Sequence, residues 1–379
     1  MGKRRIAYLT GTRADFGLMR TTLLRIAAQP DMSLALYATG MHLDPSLGNT
    51  IREVEESGLP PATIIETEQG HPSGALTASN IGRIIGRLVT LLAADRPDIF
   101  LLLGDRGEML AAAIAAIHLN IPIAHIHGGE RSGTVDEPVR HAISKLAHLH
   151  LVATAGSRAR LIRMGERDDA VYVVGAPGLD QILQSANRDA AAVFGAHGLD
   201  WTKPVALLLY HPVLQEAGAA LASAQALIAA LVEANLQILA LRPNSDAGSA
   251  SIVTALEDAR DKGQLVLVTH LAREDYLSAL RHATLLAGNS SSGVIEAASF
   301  GTPVVNVGSR QNLRERNANV VDVTTDPASI RAGIARGLAL GRTDGTNLYG
   351  DGQSADRIVS TLRALDLMSP ELLAKVNAY

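Results

Sequence analysis

Two carboxylates and an arginine follow directly after an apolar run in the stretch LLLGDRGE. Asp105, Arg106 and Glu108 come immediately after three leucines. A carboxylate beside an arginine can be one half of a structural ion pair. It can also be a proton-transfer group whose protonation is tuned by burial and neighbouring charge. The sequence leaves both interpretations open.

The densest group of reactive side chains lies in the stretch IPIAHIHGGERSGTVDEPVRHAISK. His125 and His127 alternate on one face of a predicted strand, and two glycines after them allow a tight, exposed turn. Glu130 and Asp136 follow, so that histidines and carboxylates come together in a way that suits proton transfer. Zinc binding is an alternative, but nearby arginines would compete for the carboxylates and the chain has no cysteine. Simple packing of the two histidines is another.

Three serines between two glycines, in GNSSSGVIE, follow a predicted strand and precede a helix that we predict from Gly293. Ser290, Ser291 and Ser292 then lie at a helix N-terminus, where hydroxyls and free backbone N–H groups suit a phosphate. Capping of the helix by Ser291 or Ser292 is the simpler alternative. Glu296 lies one helical turn later, where a carboxylate can accept hydrogen bonds from both hydroxyls of a ribose.

Other polar residues also follow predicted strands. Arg13 in TGTRADFG lies where a guanidinium could meet phosphate charge. This stretch is not the Gly-x-Gly-x-x-Gly fingerprint, which disfavours NAD. His211 follows the strand LLLY, Asn244 follows LALRP, and Arg310 follows VVNVGS. A surface arginine and a histidine that caps a strand end are the alternatives for Arg13 and His211.

The elements that must position these residues are short apolar runs alternating with helical patterns. The runs are apolar throughout, which is typical of parallel strands covered by helices on both faces. The alternation restarts at PVALLLYHP, and the chain is too long for one comfortable core. We therefore predict an α/β fold of two Rossmann-like, doubly wound domains, 1–180 and 181–354, facing a ligand cleft. We expect a C-terminal helix, about 355–379, to pack back on the first domain.

Composition excludes several classes of function. Hydrophobic residues make up 47% and charged residues 19% of the 379, which is typical of a packed globular protein. The formal net charge is -4 without a basic tract, so no nucleic acid or membrane partner is expected. The absence of cysteine excludes thiolate chemistry and suits a reducing compartment. No run approaches the ~20 apolar residues of a membrane span, and no signal peptide pattern is present, so we expect a cytoplasmic protein.

Together these motifs resemble the UDP-N-acetylglucosamine 2-epimerase family, and its hydrolysing branch in particular. The stretches that carry the resemblance are TGTRADFGLM, TGMHLDPSLGNTI, LLLGDRGE, HIHGGERSGTVDEPVRHAISKLAHLHL, VGAPGLD, HP at 211, PNSDAGS, GNSSSGVIEAASFGTPVVNVGSRQ and NVVDV. They run in this order over most of the chain. The resemblance implies a glycosyltransferase-B-like fold and a homodimer.

The resemblance also implies roles for individual residues. The groups around the UDP diphosphate would be Arg13, Arg106, Ser290, Ser291 and Arg310. Glu296 would bind the ribose, and the residues lining the nucleotide-sugar site would be Asn244, His211, His42 and Asp180. The catalytic candidates are Asp105, Asp136, Glu130, His127 and His211. Some hydrolysing relatives have Glu where this chain has His127, which leaves open whether His127 or Glu130 transfers the proton.

The implied reaction is anti-elimination of UDP across C1 and C2 of a UDP-2-acetamido sugar, followed by addition of water that inverts C2. The first substrate implied is UDP-N-acetylglucosamine, which would give N-acetylmannosamine for sialic acid. The alternative is UDP-N,N'-diacetylbacillosamine on the legionaminic acid route. A non-hydrolysing epimerase and a retaining glycosyltransferase of the same architecture are further alternatives. The reaction requires no redox cofactor, and we expect no metal.

Overall fold

The chain forms two compact α/β units in the computed structural model. The structure describes residues 2–44, 49–70, 73–131, 136–213, 218–243, 248–367 and 369–378, with only the backbone described for Asp136. Among these, unit 1 comprises the residues up to 131, those from 136 to 180 and those from 349 onward. Unit 2 comprises residues 181–348.

Unit 1 contains seven strands and eight helices within the described residues. The strands are β1 (Arg4–Thr10), β2 (Met32–Ala38), β3 (Thr63–Ile64), β4 (Ile99–Leu103), β5 (Ile123–Ile126), β6 (Leu149–Val152) and β7 (Val171–Val173). The helices are α1 (Arg13–Ala27), α2 (Ile51–Glu55), α3 (Gly74–Ala94), α4 (Gly107–His118), α5 (Asp136–Leu146) and α6 (Ala155–Arg163), with α14 (Ser354–Ala364) and α15 (Pro370–Leu373) from the end of the chain. The sheet is parallel, in the order β3-β2-β1-β4-β5-β6-β7.

Unit 2 repeats this plan with a six-stranded parallel sheet in its described residues. Its strands are β8 (Val205–Leu209), β9 (Gln237–Leu241), β10 (Val266–Val268), β11 (Leu285–Gly288), β12 (Val304–Val307) and β13 (Val320–Val323), in the order β10-β9-β8-β11-β12-β13. Its helices are α7 (Ile182–Ser185), α8 (Ala190–Gly195), α9 (Ala220–Glu233), α10 (Ser249–Asp261), α11 (Arg273–His282), α12 (Ser291–Ile295) and α13 (Pro327–Leu340). The prediction of two parallel-sheet α/β units is confirmed.

Each sheet is apolar on both faces because helices cover both. In β1, Ile6 and Tyr8 face a buried cluster that includes residues of α1 and α14. The alternate residues Ala7 and Leu9 face a second cluster, with side chains of α3 and α4. In unit 2 one large cluster joins β8, β9 and β11 to α9, α10 and α13. The rigid sheets fix where each strand ends, and with it the polar residues that follow.

Three elements differ from the sequence-based expectation. The short strands β3 and β13 were not predicted, since β3 has only two residues and β13 is partly exposed. The C-terminal stretch forms two helices rather than one, because Pro370 opens a new short helix, α15. No helix among the described residues is long and apolar enough to cross a membrane.

Candidate functional site

A buried arginine joins two carboxylates at the carboxyl ends of β4 and β5 in unit 1. Arg140 of α5, whose side chain is 3% exposed, pairs through Nη2 with Asp105 Oδ2. Its Nη1 lies 4.0 Å from Oε2 of Glu130, which is 5% exposed. Asp105 is more open, at 22%. The arginine lies between the two carboxylates, and Asp105 is the one that solvent reaches.

His127 and Glu130 form a second pair in the turn after β5. His127 Nδ1 donates a hydrogen bond to Glu130 Oε1. The expectation that His127 lies on a strand beside His125 is wrong, because β5 ends at Ile126 and His127 has a left-handed φ of 61°. Such a conformation is costly for a residue with a Cβ and is found where surrounding structure imposes it.

The chain around this turn imposes the conformation. Arg160 of α6 donates from Nη1 to the Gly129 carbonyl oxygen. Gly129 has a φ of 73°, and a Cβ there would lie 2.5 Å from the Ser157 carbonyl oxygen. Only glycine fits this position. The close contact with α6 fixes the backbone of the turn, and the fixed backbone orients the His127 ring.

His125 does not face the same environment as His127. It is fully buried, and its Nε2 donates to the Gly104 carbonyl oxygen at 2.7 Å. Its Nδ1 therefore accepts from the Ser144 hydroxyl of α5, at 3.1 Å. Burial lowers the pKa of His125 to about 3, which keeps the ring neutral. His125 ties α5 to the residue that precedes Asp105.

The loop after β1 is held by a buried hydrogen-bond network. Asp15 accepts from the backbone N–H of Gly11 at 3.1 Å and of Thr12 at 2.8 Å, and from the Thr10 hydroxyl. Burial raises the pKa of Asp15 to about 6, against these hydrogen bonds. Because the Thr10 proton goes to Asp15, its oxygen accepts from His42 Nε2, at 2.9 Å.

His42 lies inside this network. It is fully buried, its Nδ1 is 2.9 Å from Thr50 Oγ1, and burial lowers its pKa to about 4. The structure therefore shows His42 as a neutral residue that shapes the loop. A direct contact with a ligand stays a prediction.

Two of the three arginines expected at the phosphate are partly exposed and already have carboxylate neighbours. Arg13 Nε lies 3.0 Å from Glu53 Oε1, and the Arg13 side chain is 32% exposed. Arg106 Nε lies 3.4 Å from Glu108 Oε2, and the Arg106 side chain is 44% exposed. Both follow strands at the same edge of the sheet, β1 and β4.

Asp180 has a clear structural contact at the end of unit 1. Its carboxylate accepts from the backbone N–H groups of Ser354 at 2.8 Å and Ala355 at 2.5 Å, at the start of α14. Burial raises its pKa, although these bonds oppose the shift. Asp180 thus caps a helix from a distant part of the chain. Its expected place in the nucleotide-sugar site stays a prediction.

In unit 2 the serine run forms the N-terminus of α12. The helix begins at Ser291, two residues before the predicted start, and its cap is Ser290 rather than Ser291 or Ser292. The Ser290 side chain accepts from Ser292 N. The Ser292 hydroxyl lies 2.5 Å from the hydroxyl of Tyr276. The expected strand-to-helix turn is present, with its cap shifted by one residue.

Glu296 is buried beside an arginine that the sequence did not indicate. Glu296 is 5% exposed and pairs through Oε1 with Nη2 of Arg273, on α11. Burial lowers the pKa of Arg273, but the charge of Glu296, its hydrogen bond and the nearby Tyr276 together outweigh burial, so the pKa is raised. The pair gives the buried carboxylate of Glu296 a charged partner.

Asn289 connects three strand ends of unit 2. Its side chain is 1% exposed, accepts from the backbone N–H of His211 at 2.7 Å and donates to the His211 carbonyl oxygen at 2.9 Å. Its own carbonyl oxygen accepts from Arg310 Nη1 at 3.1 Å and from Gln311 Nε2 at 3.0 Å. Two of the candidates are therefore positioned by one buried residue, His211 through the Asn289 side chain and Arg310 through the Asn289 backbone carbonyl.

The structure brings Asp105, His127 and Glu130 together in unit 1, and His211 and Arg310 together in unit 2. Asn244 lies outside the described residues, and the side chain of Asp136 is also outside them. Sequence reasoning gave no site role to Arg140, Arg273, Tyr276 or Asn289. Asn289 adjoins the serine run and a strand end, which is a usable signal. Arg273 and Tyr276 come before β11 in the chain, and only the fold places them beside α12.

These observations define a class of protein: two parallel-sheet α/β units with polar clusters after their strands. Comparison with known protein families then identifies the family. The profile of the UDP-N-acetylglucosamine 2-epimerase family matches residues 24–363. The chain belongs to this family, as the sequence motifs led us to expect.

Individual relatives agree with this assignment. The chain is 46% identical over 376 residues to a Legionella pneumophila protein named UDP-N,N'-diacetylbacillosamine 2-epimerase (hydrolyzing), covering 99% of this chain and 100% of the relative. It is 33% identical to a Neisseria meningitidis UDP-N-acetylglucosamine 2-epimerase, covering 93% and 92%. The crystal structure of UDP-GlcNAc 2-epimerase from Neisseria meningitidis bound to UDP-GlcNAc matches with a TM-score of 0.79 at 16% identity, over 95% of this chain and 99% of that one. This last likeness shows the fold.

Proposed function

We propose that the protein is a hydrolysing 2-epimerase of a UDP-2-acetamido sugar. The observation that carries the proposal is the paired arrangement Asp105–Arg140 and His127–Glu130 at neighbouring strand ends. Removing a weakly acidic proton and returning one to the opposite face require more than one acid or base. Family membership and the hydrolysing relative at 46% identity support the same reaction.

The geometry suggests how unit 1 divides the work. Glu130 is buried and accepts a hydrogen bond from His127 Nδ1, so it orients the imidazole ring. We therefore assign proton transfer to His127, through its other nitrogen, Nε2. Asp105 is the more accessible carboxylate, and its ion pair with Arg140 holds it in position. Asp105 and His127 are then the groups that reach the sugar, with Asp136 as a further candidate.

The two chemical steps balance without a redox cofactor. A base takes the C2 proton, the C1–O bond to UDP breaks, and the electron pair forms the C1=C2 bond. Water then adds its oxygen to C1 and gives one proton to a base, while an acid delivers a proton to the opposite face of C2. The products are UDP and a free sugar with inverted C2.

Unit 2 would hold the UDP. We assign the diphosphate to the serine turn at Ser290–Ser292 and to Arg310, where backbone N–H groups and a guanidinium suit phosphate oxygens. Arg273 occupies Oε1 of Glu296, so we expect the ribose hydroxyls at Oε2. His211 stays a catalytic candidate, in the position that Asn289 fixes. A homodimer and a cytoplasmic location, which the resemblance and the composition suggest, remain part of the proposal.

Two sugars are the candidate substrates. The relative at 46% identity is named for UDP-N,N'-diacetylbacillosamine and that at 33% for UDP-N-acetylglucosamine. Both carry the 2-acetamido group and the C2 proton that the reaction needs. They differ at C4 and C6, away from the bonds that change. Both therefore belong in the first assay.

The test is phosphorus and proton NMR of the purified protein with each UDP-sugar in D2O. We expect free UDP in step with a free manno sugar that carries deuterium at C2. Turnover of one sugar alone identifies the substrate. A C2-deuterated UDP-sugar without free UDP would instead identify a non-hydrolysing epimerase. No release of UDP from either sugar would overturn the hydrolysing assignment and favour a glycosyltransferase that needs an acceptor.

A further inference from the structure

A buried carboxylate near the C-terminal end of α5 has three basic partners, two lysines and a histidine. It is not one of the candidate catalytic residues. Glu166, which follows α6 and is 2% exposed, lies 2.9 Å from His150 Nε2 and 2.8 Å from Lys145 Nζ. Its third partner is Lys375 Nζ, at 2.6 Å. Burial raises the pKa of Glu166, but its bonds to His150, Lys145 and Lys375 outweigh burial and lower it to about 2. The reaction as proposed uses none of these four residues.

Lys375 also caps the C-terminus of α5. Its Nζ donates to the Ser144 carbonyl oxygen at 2.9 Å and to the Ala147 carbonyl oxygen. The last carbonyl groups of a helix have no partner within the helix, and a lysine there also meets the negative end of the helix dipole. The 11-residue α5 thus receives its C-terminal cap from a residue more than 200 positions later.

The neighbours of Lys375 fasten the segment on both sides. The Asn377 side chain accepts from Lys145 Nζ at 2.5 Å, and Ala378 N donates to the Gly165 carbonyl oxygen at 2.9 Å. Before it, Glu371 lies 3.5 Å from Arg167. We call residues 374–378 the latch. It joins the end of α5 to the end of α6.

The other contacts of α5 lead to the candidate catalytic groups. Arg140, one turn before Ser144, pairs with Asp105 and lies near Glu130. The Ser144 hydroxyl bonds to His125, which in turn holds the carbonyl of the residue before Asp105. A small displacement of α5 would therefore move Asp105 and Glu130 together.

We propose that Lys375 is a positioning residue for the reaction, because the latch fixes α5 and α5 fixes Asp105 and Glu130. The inference rests on the proposed function. A cationic side chain is required because its charge pairs with Glu166 while its N–H groups cap α5. An apolar side chain would leave a buried carboxylate with less compensation and the last carbonyls of α5 without their donor.

The experiment compares Lys375→Met with Lys375→Arg and with the exposed control Lys262→Met in the full chain. The rate of hydrogen–deuterium exchange of residues 140–147 measures how firmly the latch holds α5, and this measurement does not depend on enzyme activity. In Lys375→Met we expect exchange of α5 to rise about five- to tenfold, the size of losing a helix cap, and kcat to fall by about as much. We expect KM to stay within about twofold, since UDP is assigned to unit 2. Lys375→Arg should retain most of both properties.

Each result decides one part. Unchanged exchange of α5 in Lys375→Met would overturn the latch. Raised exchange with unchanged kcat would overturn the positioning role, even if the melting temperature falls. A wild-type protein that turns over no UDP-sugar would overturn the proposed function and the positioning role with it, while exchange would still decide the cap. Should Lys375→Met fail to fold, Asn377→Ala loosens the same latch without removing a charge, and the same shifts, smaller in size, are expected.

Discussion

His127 shows how a single backbone angle separates two similar residues. The alternation in HIH predicts two histidines on one strand face, but the strand ends between them. His125 is buried and neutral, whereas His127 has a left-handed φ and donates a hydrogen bond to Glu130. Residue types and their order could be read from the sequence. The φ value could not, because it depends on Arg160 and Ser157 of α6 pressing on the turn.

The His127–Glu130 pair leads to a prediction about which residue carries the proton. Glu130→Gln keeps the shape but loses the charge that holds the ring, so we expect kcat to fall about 10- to 100-fold. His127→Gln should lower kcat further, because the group that moves the proton is gone. UDP affinity, measured by calorimetry, should change little in either. The exposed Glu68→Gln is the control, and a Glu130→Gln protein with wild-type kcat would exclude the orienting role.

Asn289 offers a matching test in unit 2. In Asn289→Asp the donor to the His211 carbonyl is replaced by a carboxylate oxygen, so two acceptors face each other in a buried place. We expect a loss of about 1–3 kcal/mol of stability from this mismatch. We also expect weaker UDP binding, because the mismatch displaces the backbone of residue 289, whose carbonyl oxygen holds Arg310. Urea unfolding and UDP titration measure the two effects. The exposed Asn312→Asp should show neither, and a normal UDP affinity in Asn289→Asp would contradict the positioning of Arg310.

The strands were largely predictable, and the contacts between helices were not. Apolar runs located the long strands, while two-residue β3 has too little sequence to leave a pattern. The serine run marked a helix start, but Ser290 caps α12 one residue earlier than expected. Which of three adjacent serines caps the helix depends on the local backbone angles, and the residue types do not reveal those angles. The pairing of Arg273 with Glu296 depends on how α11 crosses to α12, and spacing in the sequence does not encode it.

Packing of α6 on the turn after β5 can be tested with two glycines that share a left-handed φ. Gly129 has a φ of 73° and its Cβ position lies 2.5 Å from a backbone oxygen, whereas Gly58 has a φ of 81° with nothing within 4 Å. Gly58→Ala therefore carries the conformational cost alone, about 1 kcal/mol. Gly129→Ala adds the clash, and we expect at least ~2 kcal/mol in urea unfolding. Equal losses of unfolding free energy in the two variants would show that the turn moves away from α6 without an energetic cost.

Unequal burial of ionisable groups sets the two units apart. Burial lowers the pKa of His42 and of His148 from 6.5 to about 4, and that of His125 to about 3. All three lie in unit 1, as does Glu166. In unit 2, the described groups with a clear pKa shift are two arginines, a tyrosine and two exposed aspartates.

Protonation of these groups favours the unfolded state of unit 1 in acid. Each histidine binds its proton at about pH 6.5 when unfolded but only near 3 to 4 when folded, so the free energy of unfolding falls as the pH drops between these values. Glu166 extends the loss from about 4.5 down to about 2. Asp15 acts in the opposite sense, because its folded pKa of about 6 lies above the ordinary 3.8 and its protonation stabilises the fold as the pH falls. Asp180, whose pKa burial also raises, acts in the same sense as Asp15, and the buried histidines outweigh these two carboxyls.

We therefore expect unit 1 to unfold first as the pH is lowered from 7 to 4.5, with a loss of about 2 kcal/mol or more relative to unit 2. Hydrogen–deuterium exchange at the two pH values, corrected for the intrinsic rate, measures both units in one sample. Exchange in β5 and β6 should rise, while β8 and β11 change little. His148→Gln preserves an acceptor for the Ile123 N–H and removes one titrating group, so it should reduce the acid sensitivity of unit 1. An equal rise in both units would mean that acid acts on a group common to them, and that the buried histidines do not control the loss.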